Sequence, residues 1–130
     1  MATAKKVFAA LGSKLKTFKN NESPVTGITA RFAPGHTPGH CIFEIVSGGE
    51  QLFYTADVCN HQILLLEKPD WSFAFDVDPA LGIKSKKKFF EQFSADKSRL
   101  LAYHFPFPGL WHITKSNGSY RWVPENWIWE

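Results

Sequence analysis

With 130 residues, the chain has the size of one domain, and its 44% hydrophobic and 15% aromatic content, including 12 Phe and 5 Trp, excludes a disordered polymer. The 15 basic and 12 acidic residues leave a formal net charge of +3, too even to point to nucleic acid or an anionic membrane as partner. Cys41 and Cys59 are too few for a disulfide framework and lack CxxC spacing, which leaves the redox compartment open.

Residues 3–18 place Val7, Phe8, Leu11, Leu15 and Phe18 at steps of three and four, the pattern of an amphipathic helix. The apolar stretch from Val7 to Leu11 is short and runs into Lys14, Lys16 and Lys19. Nothing there resembles a signal peptide, so the location is left unknown, with the cytoplasm as the default expectation. Asn20 to Pro24 is turn-forming, and Ile28, Ala30 and Phe32 then alternate with Thr29 and Arg31 as in a half-buried strand ending at Pro34-Gly35. Cys41–Val46 and Gln51–Thr55 read as two strands joined by the hairpin chemistry of Ser47-Gly48-Gly49-Glu50.

Asp57 to Pro79 gives a weaker pattern. Ile63 to Leu66 is compatible with a short helix or a strand, and Pro69, Asp76, Asp78 and Pro79 argue for an ordered loop. From Pro79 to about Phe93 a helix is predicted, with the proline in its first turn and Ile83, Phe89, Phe90 and Phe93 available for packing. Its lysines, Lys84, Lys86, Lys87 and Lys88, like Lys5, Lys6, Lys14, Lys16 and Lys19 near the start, read as solvated helix faces. Arg99–Tyr103 reads as a strand running into His104, and a last strand is expected around Tyr120–Val123 after the turn Ser116-Asn117-Gly118-Ser119. No run is long enough to span a membrane.

All five histidines fall in three short segments: His36 and His40 in Pro34-Gly35-His36-Thr37-Pro38-Gly39-His40, His61 soon after Asp57, and His104 and His112 around Phe105-Pro106-Phe107-Pro108-Gly109. Any one histidine alone is more often structural than a ligand. Taken together they sit where strands end, and strand ends hold side chains rigidly while leaving their tips in a cleft.

The order PGHTPGH, then a strand into Thr55-Ala56-Asp57, then a helix and a strand into His104-Phe105-Pro106-Phe107-Pro108-Gly109 resembles the later metal motifs of the metallo-β-lactamase superfamily. With Tyr120-Arg121-Trp122-Val123-Pro124, it is most similar to the methyl parathion hydrolase and lactonase-like branch, over nearly the whole chain. The resemblance implies that His36 is a ligand of a first metal, Asp57 a carboxylate bridging two metals, and His104 a ligand of the second. It places His40 and His112 behind the ligands. Asn60 and His61, just past the bridging aspartate, and Trp71 become candidates for substrate contact. Trp71, Phe73 and Phe75 also have the spacing of ordinary core packing. Imidazole and carboxylate suit zinc, manganese, iron or cobalt. Water between two such ions has a pKa lowered toward about 7, so carbonyl and phosphoryl electrophiles become substrates.

Two features depart from the superfamily pattern. Its first-half signature, His-x-His-x-Asp-His, is absent, which would leave His36 alone on the first metal and Asp57 with His104 on the second. Trp111 stands where related sequences usually have Gly, either filling space, lining a pocket or being neutral.

By the resemblance, residues 1–130 are a single α/β (α+β) domain, the C-terminal half of an αββα sandwich, with one mixed sheet and helices packed on one face. A sheet face left bare of helices requires cover. A homodimer is expected, or failing that a complementing N-terminal half. The expected function is a metal-dependent hydrolase of esters, lactones or phosphotriesters in truncated form, active on a small-molecule substrate only when completed by further ligands. The alternative is a non-catalytic structural or interaction domain whose metal residues are relics.

Overall fold

A computed structural model describes residues 2–126. Helix α1 (Ala2–Leu11) is followed by a 3₁₀ turn (Gly12–Lys14), then strands β1 (Ile28–Phe32), β2 (Cys41–Ser47) and β3 (Glu50–Tyr54). Another 3₁₀ turn (Ala56–Val58), α2 (Leu64–Glu67) and α3 (Pro79–Ala95) lead to β4 (Leu100–Leu101), β5 (Leu110–Ser116) and β6 (Ser119–Pro124). The strands form one sheet in the order β1-β2-β3-β4-β5-β6. Every neighbouring pair is antiparallel except β3 with β4, and the crossover between those two carries α2 and α3. The fold is therefore α+β with a mixed sheet, as expected. Among the described residues, no helix is long and apolar enough to cross a membrane.

Alternation along the strands decides which sheet face is covered. Ile42, Phe53, Leu100, Trp111, Ile113 and Tyr120 are buried and point toward α2 and α3. Phe53 meets Phe93 at 5.0 Å between ring centroids, and Phe90 meets Tyr120 edge-on at 5.2 Å. The opposite face carries Phe43, Tyr54, Leu101 and Leu110, directly paired across four strands and partly exposed. Phe18 leans edge-on against Phe43.

Helix α3 begins as its sequence directs. Asp78, in an extended conformation, caps it by accepting from the Leu81 N–H, and Pro79 follows at the first position. Its buried stripe runs Lys86, Phe89, Phe90, Phe93, the i, i+3, i+4, i+7 positions of one helix face. Lys86 thus departs from the expectation of a solvated lysine run, because the helical period puts it in line with the phenylalanines. Its Nζ donates to the Trp71 carbonyl, and burial pushes its pKa down.

Other expectations shift as well. The N-terminal helix stops at Leu11 instead of reaching residue 18, since Gly12 takes a left-handed conformation (φ +49°), and Val7, Phe8, Leu11 and Leu15 are exposed. Ile63–Leu66 resolves into the single helical turn α2. The predicted 99–103 strand shrinks to two residues, and β5, which the sequence pattern left unassigned, is one of the two longest strands.

Trp111 is fully buried in β5, with its ring 4.6 Å from Phe105, so the indole fills the core instead of lining a pocket. Its Nε1 has no hydrogen-bond partner among the described residues. Trp111→Ala is expected to destabilise the fold by about 3–5 kcal/mol and Trp111→Phe by about 1–2 kcal/mol, because the phenyl ring keeps most of the packing and removes an unpaired N–H. Urea unfolding followed by circular dichroism measures both.

Candidate functional site

Because β1 and β3 run the same way and β4 is parallel to β3, the C-terminal ends of these three strands share one edge of the sheet. The loops leaving them carry His36 with His40, Asp57, and His104. Residues separated by up to 47 positions in sequence are thereby brought into contact.

Asp57 is the centre. It lies in a tight turn with φ −97° and ψ 20°, directly after Ala56, a non-glycine residue at φ +45°. The left-handed conformation of Ala56 costs of order 1–3 kcal/mol and persists where surrounding bonds overdetermine it. Here buried Thr55 supplies those bonds: its N–H and Oγ1 both donate to the Leu101 carbonyl, and its own carbonyl accepts from the Val58 N–H. The turn presents the two carboxylate oxygens of Asp57 in different directions. Oδ1 accepts from His104 Nε2 at 2.7 Å and from Asn60 Nδ2 at 3.0 Å, and Oδ2 faces His36 Nε2 at 3.9 Å.

His40 lies behind this pair. Its Nδ1 donates to the Ala33 carbonyl at 3.0 Å, and its Nε2 accepts the Asp57 N–H at 3.1 Å, so the ring is a neutral spacer fixing the aspartate backbone. His36 Nδ1 lies 3.1 Å from Asp76 Oδ1. Ala33, Val58, Leu65 and Phe73 line the cleft between them.

The remaining candidates divide. Asn60 touches Asp57. His61 accepts the Ile63 and Leu64 N–H groups on Nδ1, which makes it a cap for α2. Trp71 lies outside the His36–Asp57 cleft and lines a surface groove with Lys68 and Arg121, whereas Phe73 is in the cleft, its ring 6.1 Å from that of His36. Phe75 packs on Phe73. His112 is not brought to the site; its Nδ1 faces the Lys97 and Ser98 carbonyls at the far end of β4. Asp76 is the residue that sequence reasoning missed as a site group. Its one signal was a carboxylate placed among aromatics just ahead of a helix cap. Both cysteines are free, and burial pushes the Cys59 thiol up to about 12, so it stays protonated near neutral pH.

The donors suit a divalent transition metal in type. Two ligands sharing a cation at about 2.0–2.2 Å each stand roughly 3–3.5 Å apart, a span near that between His36 and Asp57, whereas the His104–Asp57 contact is closed by a proton. In number they fall short. Each carboxylate oxygen has one histidine, while even an open catalytic zinc takes three protein ligands. Among the described residues, no group of three or more His, Cys, Asp or Glu side chains is placed to hold a metal ion.

No protein-family model matches the chain, and no curated protein matches it in sequence. Solved structures do. AidC, a dizinc quorum-quenching lactonase seen with its product, superposes with a TM-score of 0.90 at 33% identity, covering 98% of this chain and 43% of that one. The hydrolase AbOPH of the β-lactamase superfamily gives 0.86 at 28% identity, with 95% and 43% covered. A probable metal-dependent hydrolase from Staphylococcus aureus gives 0.69 at 23%, covering 89% and 42%, and supports the fold alone. The structural neighbours are thus metallo-β-lactamase-fold hydrolases, and the chain spans less than half the length of each of these three.

Burial lowers the His40 pKa, against the raising pull of the Ala33 carbonyl and the Asp57 charge. The unfolded side chain, at 6.5, therefore binds protons more readily than the folded one. The stability contributed by neutral His40 is complete above about pH 6.5 and is lost as pH falls from there through the lowered folded value. The urea midpoint of the native chain is expected to drop between about pH 7.5 and pH 5 more steeply than that of His40→Gln.

Proposed function

We propose that the chain contributes one half of a metal-dependent hydrolytic site, with His36, Asp57 and His104 as its metal-binding residues and the remaining ligands supplied by a second polypeptide, either another copy of this chain or a separate N-terminal half. The observation that carries this is the single carboxylate of Asp57 offering one oxygen to each of two histidines from separate strand-end loops. In this reading the chain corresponds to the C-terminal half of a lactonase-like or phosphotriesterase-like hydrolase acting on ester, lactone or phosphotriester bonds. Similarity to AidC and AbOPH supports that branch.

The completing protein packs over the row Phe43, Tyr54, Leu101 and Leu110, and a second copy of the chain is the proposed occupant. Sedimentation equilibrium is expected to give twice the 14.8 kDa chain mass, and Leu110→Asp to return the protein to one chain. A native chain that sediments as a monomer transfers the role to a separate complementing half.

The competing reading, a structural domain with relic metal residues, draws on the His104–Asp57 hydrogen bond, which satisfies both groups without a metal. Equilibrium dialysis against zinc with elemental analysis separates the two readings. His36→Ala and His104→Ala are each expected to weaken zinc binding by at least about tenfold. Zinc content unchanged in both variants, or absent from the native chain together with esterase turnover, sinks the metal reading.

A further inference from the structure

The segment between α2 and α3, which the sequence marks only as an ordered loop, is strapped to the His36 loop. The Val77 N–H donates to the His36 carbonyl and the Asp78 N–H to the Gly35 carbonyl, while Ser85 Oγ donates to the Pro34 carbonyl at 2.6 Å. The two backbones approach so closely that a Cβ on Gly35 would sit 2.2 Å from Gly82 of α3. A Cβ on Gly82 would in turn meet Asp76 Oδ2 at 3.0 Å. Asp76 is held between these walls with its side chain 9% exposed, Oδ2 accepting the Phe73 N–H at 3.0 Å and Oδ1 facing His36 Nδ1 at 3.1 Å.

We propose that Asp76 is the positioning residue of the site: it fixes the tautomer and ring direction of His36, so that the bare Nε2 faces Asp57. A carboxylate only accepts hydrogen bonds, so the proton of the neutral His36 ring sits on Nδ1 and the lone pair on Nε2. With Oδ2 accepting the Phe73 N–H and α3 close to the carboxylate at Gly82, Oδ1 faces His36 Nδ1. The ring is steadied from the side by Phe73. The proposal rests on the metal reading for its purpose but not for its test, since the tautomer exists without metal.

The test is nuclear magnetic resonance of the imidazole nitrogens of His36 in the metal-stripped chain at about pH 8. The native protein is expected to show the Nδ1–H form. Asp76→Ala is expected to lower the ratio of Nδ1–H to Nε2–H by about tenfold or more, the size of one lost charge-assisted hydrogen bond. Asp76→Leu, which keeps much of the side-chain bulk but has no acceptor, is expected to lower the ratio as far. If Asp76→Ala does not fold, Asp76→Leu decides alone.

An unchanged tautomer ratio in a folded variant overturns the proposal. Zinc uptake is scored separately, with a fall of about 10–100-fold in affinity expected for Asp76→Ala. A tautomer that moves in a chain binding no zinc upholds Asp76 and removes the metal reading. Zinc uptake with an unmoved tautomer does the reverse.

Discussion

Where the first turns of α3 meet the loop after β1, two glycines, Gly35 and Gly82, let backbone lie on backbone with no side chain between. Gly35 also takes φ +137°, a conformation that strains any residue with a Cβ. From this contact the site end of the molecule is fixed. The helix cannot slide without lifting Ser85 off Pro34, and the loop cannot open without breaking its bonds to Val77 and Asp78. The phenylalanine stripe farther along α3 then seats the helix on the sheet. The site geometry is thus inherited from how one helix docks, more than from the site residues themselves.

Much of this was legible in the sequence where local chemistry and period agreed. The Gly48-Gly49 hairpin, the alternation of Ile28, Ala30 and Phe32, and the Pro79 start of α3 each have a local cause, and each element is present. The failures have physical causes of another kind. Residues 12–18 continue the helical spacing of α1, but Gly12 ends the helix, and Phe18 finds its partner in Phe43 instead. Strand β5 follows a proline-rich loop, and its identity comes from pairing with β4 and β6. Lys86 looked solvated by composition, although its position relative to Phe89, Phe90 and Phe93 placed it inside.

Of the site, the strand-end placement of His36, Asp57 and His104 was legible because the order of motifs implied it. Asp76 was not, since its role depends on a loop folding back 40 residues in sequence to reach His36. His61 and His112 show the converse. Both sit in segments rich in site residues, yet each spends its ring on backbone groups, one capping α2 and one meeting the carbonyls of Lys97 and Ser98. Histidine near a metal motif is therefore no guide by itself. The direction of the ring nitrogens separates a ligand candidate from a cap.

The parallel pairing of β3 with β4 has a further effect, on the time course of folding. Hairpins such as β2–β3 and β5–β6 close short loops, whereas Tyr54 meets Leu101 only after the whole crossover with α2 and α3 has been gathered in. Closing so long a loop carries an entropic cost that shorter pairings do not, and contacts of this separation slow folding. Asp57 and His104 lie just beyond that pair. Their meeting therefore belongs to the late, cooperative part of assembly, and a partly folded chain with both hairpins formed would still lack the site.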